Sequence, residues 1–300
     1  MQKLDALVVG ALEVAQMPVT LQDLQNYLPA DHIFLELWPQ VADTAILHPL
    51  QALMIVERMD KALSKPGDVI ECGIYQGATS VLMAKLLELR HSDKTLFLCD
   101  SFQGLPEPDR QVDASARFEK GAWSASRQEV EARLAHYNVL DRCRILEGWF
   151  SDTLPGLDEG QQFCFAYIDA DLYTSTVDCL QQLWPRLVTR GAAVFDDYHH
   201  PSGGVRRAVD DWMADTGEVI HVGPVSQCTV IRGLLAENAG VECHYLGTSN
   251  QKEIVISFDY LRRNRMFCAM INSRRQYLHA YADQFSTFAG LIIPESSQPQ

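Results

Sequence analysis

Between residues 68 and 198 the chain repeats one pattern. A short apolar run stops abruptly at glycine or aspartate, and a stretch with apolar residues at helical spacing follows. The runs are DVIECG (68–73), TLFLCD (95–100), RCRILEGWF (142–150), FCFAYIDA (163–170) and AAVFDDY (192–198). ATSVLMAKLLELR (78–90), STVDCLQQLWPRL (175–187) and GGVRRAVDDWMA (203–214) supply helices between and after them. Continuously apolar strands alternating with helices pack as a parallel sheet covered on both faces. Two further runs, EVIHVG (218–223) and CTVIRG (228–233), have no helix between them and suit an antiparallel hairpin at the sheet edge. The expected fold is therefore α/β, with a doubly wound, mostly parallel seven-stranded sheet.

The flanks read differently. Residues 1–64 form a helical extension, with helical spacing in LDALVVGALEVA (4–15) and HPLQALMIVERMDKAL (48–63). Residues 65–235 carry the sheet. Residues 236–300 form a C-terminal extension, in which KEIVISFDYL (252–261) reads as a strand, RRNRMFCAMINSRRQYLHAYADQF (262–285) as a helix and PESSQPQ as a disordered tail. The unassigned ends suggest a partner of the same chain, a homo-oligomer.

Charge and composition exclude several classes. A net charge of −14, with one local basic cluster at 261–266 joined by Arg274 and Arg275, argues against a nucleic-acid partner. No apolar stretch approaches the ~20 residues of a bilayer span, and the N-terminus lacks the basic start of a signal peptide, so a cytoplasmic protein without a membrane partner is expected. The eight cysteines include no C-x-x-C pair and read as small buried hydrophobes in a reducing compartment.

The strand ends carry the chemistry. In VIECGIYQGATS, Glu71 and Gly73 close a strand and Gly77 opens a helix. Glycines there admit a ligand close to the backbone, although the G-x-G-x-x-G dinucleotide spacing is absent. The acid before the turn suits a ligand bearing an amino group. Asp100 follows Gly77 by 23 positions, near the spacing of an acid that accepts from ribose hydroxyls. The aromatic loop EGWFSDTLP (147–155) can stack on an adenine. Together these point to a nucleoside cofactor. Asp169, Asp171, Asp196 and Asp197 crowd the tips of two strands consecutive in the chain. Such crowding is relieved by protonation or by a hard divalent cation, and Mg²⁺ explains it better because each acid lies where a substrate arrives. The polar loop 104–125 reads as a lid over the site or a passive insertion, and Ser126 with Glu129 has capping-box spacing for the next helix.

The set GDVIECGIYQGATS, CDSFQGLPEPD, EGWFSDTLP, IDADLYTST and VFDDY resembles the macrocin O-methyltransferase (TylF-like) family, over about residues 45–235. The resemblance implies a Rossmann-like methyltransferase fold and Mg²⁺-dependent methyl transfer from S-adenosyl-L-methionine to a sugar hydroxyl in natural-product biosynthesis. By position, Glu71, Gly73 and Gly77 are implied to cradle the methionine part of the cofactor. Asp100 and Ser101 are implied to hold the ribose, and Gly148, Trp149 and Phe150 to border the adenine. Asp169, Asp196 and Asp197 are implied metal ligands. Asp171 is the implied general base, with Asp169 as second choice. Tyr173, Tyr198, His199 and His200 are candidates for contact with a small-molecule acceptor. Other readings stay open: a catechol or other non-sugar acceptor, a nicotinamide-dependent oxidoreductase, or a non-catalytic scaffold.

Overall fold

The computed structural model describes residues 21, 24–25, 28–43, 45–113, 118–200, 203–222 and 225–235, with the strands 243–249, 252–257 and 290–293. The N-terminal segment contributes helices α1 (Ile33–Leu37) and α2 (Pro49–Ala62). The alternating region then gives β1 (Asp68–Cys72), α3 (Ala78–Leu89), β2 (Leu96–Asp100), α4 (Arg127–His136), β3 (Cys143–Glu147), the single turn α5 (Phe150–Thr153), β4 (Phe163–Ile168), α6 (Tyr173–Leu183), β5 (Leu187–Phe195) and α7 (Gly204–Thr216). The hairpin strands are β6 (Glu218–Val222) and β7 (Cys228–Leu235).

The sheet order begins β3-β2-β1-β4-β5-β7-β6. β1 to β5 pair in parallel, and β7 runs antiparallel to both β5 and β6. β4 sits near the middle, and every one of its residues is buried, which is why FCFAYI shows no polar alternation. The expected seven strands are all present. The hairpin, however, is not the edge. β10 (Gly290–Ile293) pairs antiparallel with β6, β9 (Lys252–Ser257) with β10, and β8 (Cys243–Ser249) with β9, so the sheet has ten strands. β9 is the strand expected in KEIVISFDYL. The helices expected at 4–15 and 262–285 and the tail fall outside the described residues. No helix among the described residues is long and apolar enough to cross a membrane.

The segment before residue 65 is not a separate body where it is described. α2 buries Leu50, Leu53, Ile55, Val56 and Met59 in the same core as Val69, Ile70, Phe165 and Val194. At ~1.5–3 kcal/mol for each fully buried large aliphatic side chain, this face couples α2 tightly to the sheet. The start of α2 is set by a capping box. The His48 side chain accepts from the Leu50 amide, the Gln51 carbonyl oxygen accepts from the His48 amide, and Pro49 occupies the first turn, where its missing N–H costs nothing. The expected box at Ser126 and Glu129 also forms, opening α4.

Candidate active site

The carboxyl ends of the parallel strands, where open α/β sheets bind ligands, surround a cavity of about 580 Å³. Two glycines shape the β1 side of this cavity, of which Gly73 lines it and Gly77 does not. Gly73 has φ +87, and a Cβ there would lie 1.9 Å from the carbonyl oxygen of Asp169. Only glycine lets the end of β1 approach the end of β4 so closely. Gly77, with φ +81, caps α3 without a side chain, so the helix N-terminus opens on the cavity, where Ala78 and Thr79 form part of the wall.

Three carboxylates converge beside the Gly73 turn. Asp169, Asp171 and Asp197 each place an oxygen within 4.8 Å of the others. The backbone is bent to bring them there. Asp171 has φ 58 and lies between Ala170, whose carbonyl accepts, and Leu172, whose amide donates, a γ-turn that only a tight constraint maintains. Asp197 has φ 53. Left-handed backbone at two non-glycine residues stores strain where chemistry is expected. Electrostatics agrees. Burial, then the charges of Asp196, Asp171 and Asp197, push Asp169 well above the usual carboxylate range. Burial and the charges of Asp196 and Asp171 do the same to Asp197. Asp171 is also raised by burial, and its hydrogen bond with Asp197 opposes the shift. An all-oxygen set of three half-buried acids that repel one another fits a hard divalent cation.

Asp196, expected among the metal ligands, lies outside this group. Its Oδ2 accepts from the Tyr167 hydroxyl at 2.8 Å. Its Oδ1 accepts from Gln51 Nε2 at 2.8 Å, Ser226 Oγ at 3.0 Å and the Asp197 amide at 2.9 Å. Four donors hold this carboxylate at the cavity wall and fix the backbone that carries Asp197. Asp171 takes its place in the cluster, so the ligand and base positions read from the sequence overlap in space.

The remaining expected residues divide. Gly73, Gly148, Trp149 and Phe150 line the cavity, as do Asp100 and Ser101. Asp100 already accepts from the backbone amides of Ile74, Tyr75 and Phe102, at 2.7, 3.3 and 2.7 Å, which leaves about one of the roughly four acceptor positions of a carboxylate. Ser101 is engaged in its own turn, accepting from the Gln103 amide and donating to the Gly104 carbonyl. His200 lines the cavity against the Phe118 ring at 5.0 Å. Three acceptor candidates do not line it. Tyr198 is fully buried and donates to Asp210 at 2.6 Å. His199 is buried and pushed down to about 3 by desolvation and the Arg206 charge, so it is neutral and no base. Tyr173 packs under the Arg207 guanidinium. Tyr198 and His199 are turned into the core by the turn after β5, which residue type alone did not reveal.

Glu71 is likewise beneath the site, not in it. It is fully buried, accepts from Ser80 Oγ, and leaves its other oxygen without a partner. Burial raises its pKa to about 8, against the pull of the Ser80 hydrogen bond. An acid raised in the folded state binds a proton that the unfolded chain has released, so its contribution to stability is full below about pH 4.5 and falls away up to about pH 8. Glu71→Gln removes that loss. The stability of the variant relative to the parent is expected to rise by a few kcal/mol between pH 5 and pH 8, bounded by ~1.4 kcal/mol per pH unit. Denaturant unfolding across this range checks it, and parallel pH profiles would remove the buried proton.

Two site residues gave no signal as motifs. Gln51 reaches the site from α2 because, as the last residue of the capping box, it uses its side-chain oxygen on the His48 amide and turns its Nε2 to donate to Asp196 and Ser226. Asp113, buried in the 104–125 loop, accepts from the Tyr173 amide at 2.9 Å and so caps α6 from a distance of 60 positions. That bond, with a small core of Leu105, Phe118 and Leu172, holds the loop over the cavity. The described parts of the loop, at Gly104–Glu107, Asp113, Phe118 and Trp123, line the cavity.

Comparison with known proteins agrees with this geometry. The macrocin O-methyltransferase (TylF) family model matches residues 33–230. The 8-demethyl-8-(2,3-dimethoxy-alpha-L-rhamnosyl)-tetracenomycin-C 4'-O-methyltransferase of Streptomyces olivaceus is 35% identical over 189 residues, 60% of this chain and 71% of that protein. The mycinamicin III 3''-O-methyltransferase of Micromonospora griseorubida is 33% identical over 169 residues, 52% of this chain and 65% of that protein. Among solved structures, the O-methyltransferase NovP superposes with a TM-score of 0.52 at 30% identity, covering 61% of this chain and 78% of that one. The family model spans more than half of the sequence and includes α2, the glycine turns and the carboxylate cluster. The chain belongs to the macrocin O-methyltransferase family and is an O-methyltransferase.

Proposed function

We propose that this enzyme transfers a methyl group from S-adenosyl-L-methionine to a sugar hydroxyl, with Mg²⁺ held by Asp169, Asp171 and Asp197. The observation that carries the reading is the convergence of those three carboxylates at the tips of β4 and β5, beside the glycine turn of β1 on one cavity. When bound, the donor supplies an electrophilic methyl on a sulfonium and Mg²⁺ stabilises negative charge developing on the acceptor oxygen.

The chain's own residues do the rest. The open N-terminus of α3 favours a carboxylate such as that of methionine. Trp149 and Phe150 offer an aromatic face to the adenine, and Asp100 keeps one acceptor position for a ribose hydroxyl. Asp171, the acid whose shift is opposed by a hydrogen bond, takes the proton of the acceptor hydroxyl. The oxygen–carbon bond forms as the carbon–sulfur bond breaks, and the proton stays on the Asp171 carboxylate until released to solvent. Holding acceptor oxygen, methyl and sulfur in line accounts for much of the acceleration. The cover built on Leu105, Phe118 and Asp113 keeps water from competing. One relative acts, by its name, on a rhamnosyl-bearing tetracenomycin C, which supports a sugar over a catechol.

Methyl transfer from labelled donor to a panel of glycosides and catechols, with and without EDTA, tests the reading. Transfer to a glycoside that stops on chelation and resumes with Mg²⁺ is expected. Transfer that ignores chelation, or that reaches catechols alone, would contradict it.

A further inference from the structure

The helix that follows the carboxylate cluster begins without a cap of its own. α6 starts at Tyr173, two residues after Asp171, and its N-cap residue, Leu172, has no side-chain oxygen to offer the first turn. The acceptor comes instead from Asp113, 60 positions earlier, whose Oδ1 takes the Tyr173 amide at 2.9 Å. The place of Asp113 is set locally, because its own amide donates to the Asp109 carbonyl at 2.7 Å and closes one turn. Asp113 is 1% exposed, and its Oδ2 has no partner among the described residues. Burying a carboxylate with one oxygen unpaired is costly, and what it secures is the start of α6.

A second helix start reports on the same carboxylate. α7 begins at Gly204, a buried glycine whose φ is not left-handed. Helical backbone prefers alanine to glycine, so conformation does not call for glycine here. Space does. A Cβ on Gly204 would overlap Asp113 Oδ1, and the next nearest atom is the Tyr173 amide nitrogen at 3.1 Å. Those two atoms are the acceptor and the donor of the bond that starts α6. The N-termini of α6 and α7 thus meet at one carboxylate, where their partial positive charges favour an anion. On the other side of Tyr173 the chain has little slack. The Leu172 amide donates to the Ala170 carbonyl, and between them Asp171 holds φ 58. The Asp169 amide is bonded to the Cys72 carbonyl, so this strained turn is pinned at both ends, by β1 and by Asp113.

We infer that Asp113 is a positioning residue for Asp171. By holding the start of α6 it keeps the left-handed turn that aims the Asp171 carboxylate at Asp169 and Asp197, and Gly204 is glycine to leave it room. This rests on the metal-centre reading above.

The test follows Mn²⁺ binding to the full chain by electron paramagnetic resonance with S-adenosylhomocysteine present, alongside methyl-transfer kinetics and melting in EDTA. Asp113→Ala is expected to weaken Mn²⁺ binding and to lower kcat, each by about 10–100-fold, the range for losing a group that orients a metal ligand. S-adenosylhomocysteine affinity is expected to hold. Asp113→Asn keeps an acceptor for the Tyr173 amide and is expected to rescue most of both losses. Gly204→Ala changes no residue that lines the cavity, yet it is expected to weaken Mn²⁺ in the same sense, because its methyl displaces the carboxylate. In melting, Gly204→Ala is expected to cost the parent more than it costs the Asp113→Ala chain, where the overlapping oxygen is gone. If Asp113→Ala yields no folded protein, the Mn²⁺ affinity of Gly204→Ala decides. Parent-like Mn²⁺ affinity in these alanine variants, an asparagine variant as impaired as the alanine one, or equal melting penalties in the two backgrounds overturns the inference while the metal centre stands. A parent that binds no Mn²⁺ overturns the metal-centre reading, and the inference with it.

Discussion

Asp171→Asn is expected to lower kcat for methyl transfer by about 10²–10⁴-fold, the range of a lost general base, while S-adenosylhomocysteine binding stays near its parent value. Asparagine is nearly isosteric and tolerates the left-handed backbone that Asp171 occupies, so the γ-turn persists. It cannot accept the hydroxyl proton, and it removes one of three mutually repelling acids. The metal-free variant is therefore expected to melt higher than the metal-free parent, because a half-buried like-charge contact has been deleted. Lower activity with higher thermal stability is a signature that general damage to the fold does not produce. Single-turnover kinetics with labelled donor, alongside calorimetric titration of S-adenosylhomocysteine and a melting curve in EDTA, reads all three. Turnover near the parent value would remove Asp171 as the base.

The second large effect is structural. Gly73→Ala is expected to abolish soluble folded protein, or to cost more than ~4 kcal/mol, the range of exceptional single substitutions. The new methyl would sit 1.9 Å from a main-chain oxygen, that of Asp169, which cannot rotate aside. Alanine also disfavours φ +87. Relief requires β1 and β4 to separate where the Gly73 amide bonds the Cys99 carbonyl and the Asp169 amide bonds the Cys72 carbonyl, the junction that also positions the first carboxylate of the cluster. Soluble yield and denaturant unfolding measure it. An alanine variant of parent stability would mean that the strand ends are farther apart than described.

Legibility in the sequence followed how local each cause was. The parallel core could be read because buried strands such as FCFAYI differ in period from ATSVLMAKLLEL, and both signals lie within a few residues. The position of the site followed from the rule that ligands sit beyond strand ends. The acids at those ends were visible, but their division of labour was not. Asp196 and Asp197 are neighbours in sequence, yet one turns to Tyr167, Gln51 and Ser226 and the other to Asp169 and Asp171. Which way each turns depends on donors 29 to 145 positions away. Glu71 drew attention as an acid beside a glycine turn and Asp100 as the acid that ends β2, and both are engaged by the protein itself, through Ser80 and through backbone amides. Tyr198 and His199 looked like acceptor contacts because they follow the aspartate pair, but the chain turns them into the core. The strands after residue 235 were legible only where β-branched residues cluster, in KEIVIS. Gly290–Ile293 is four residues long, and nothing local distinguishes it from a buried turn of helix.

Electron paramagnetic resonance of Mn²⁺, a spectroscopic substitute for Mg²⁺, titrated into the purified chain in the presence of S-adenosylhomocysteine tests the arrangement most directly. One bound ion per chain is predicted for the parent and for Glu107→Gln, an acid at the mouth outside the cluster. Loss of that ion is predicted for Asp169→Asn. A parent that binds none, or an Asp169→Asn variant that binds it undiminished, would contradict a metal centre built from the acids at the tips of β4 and β5.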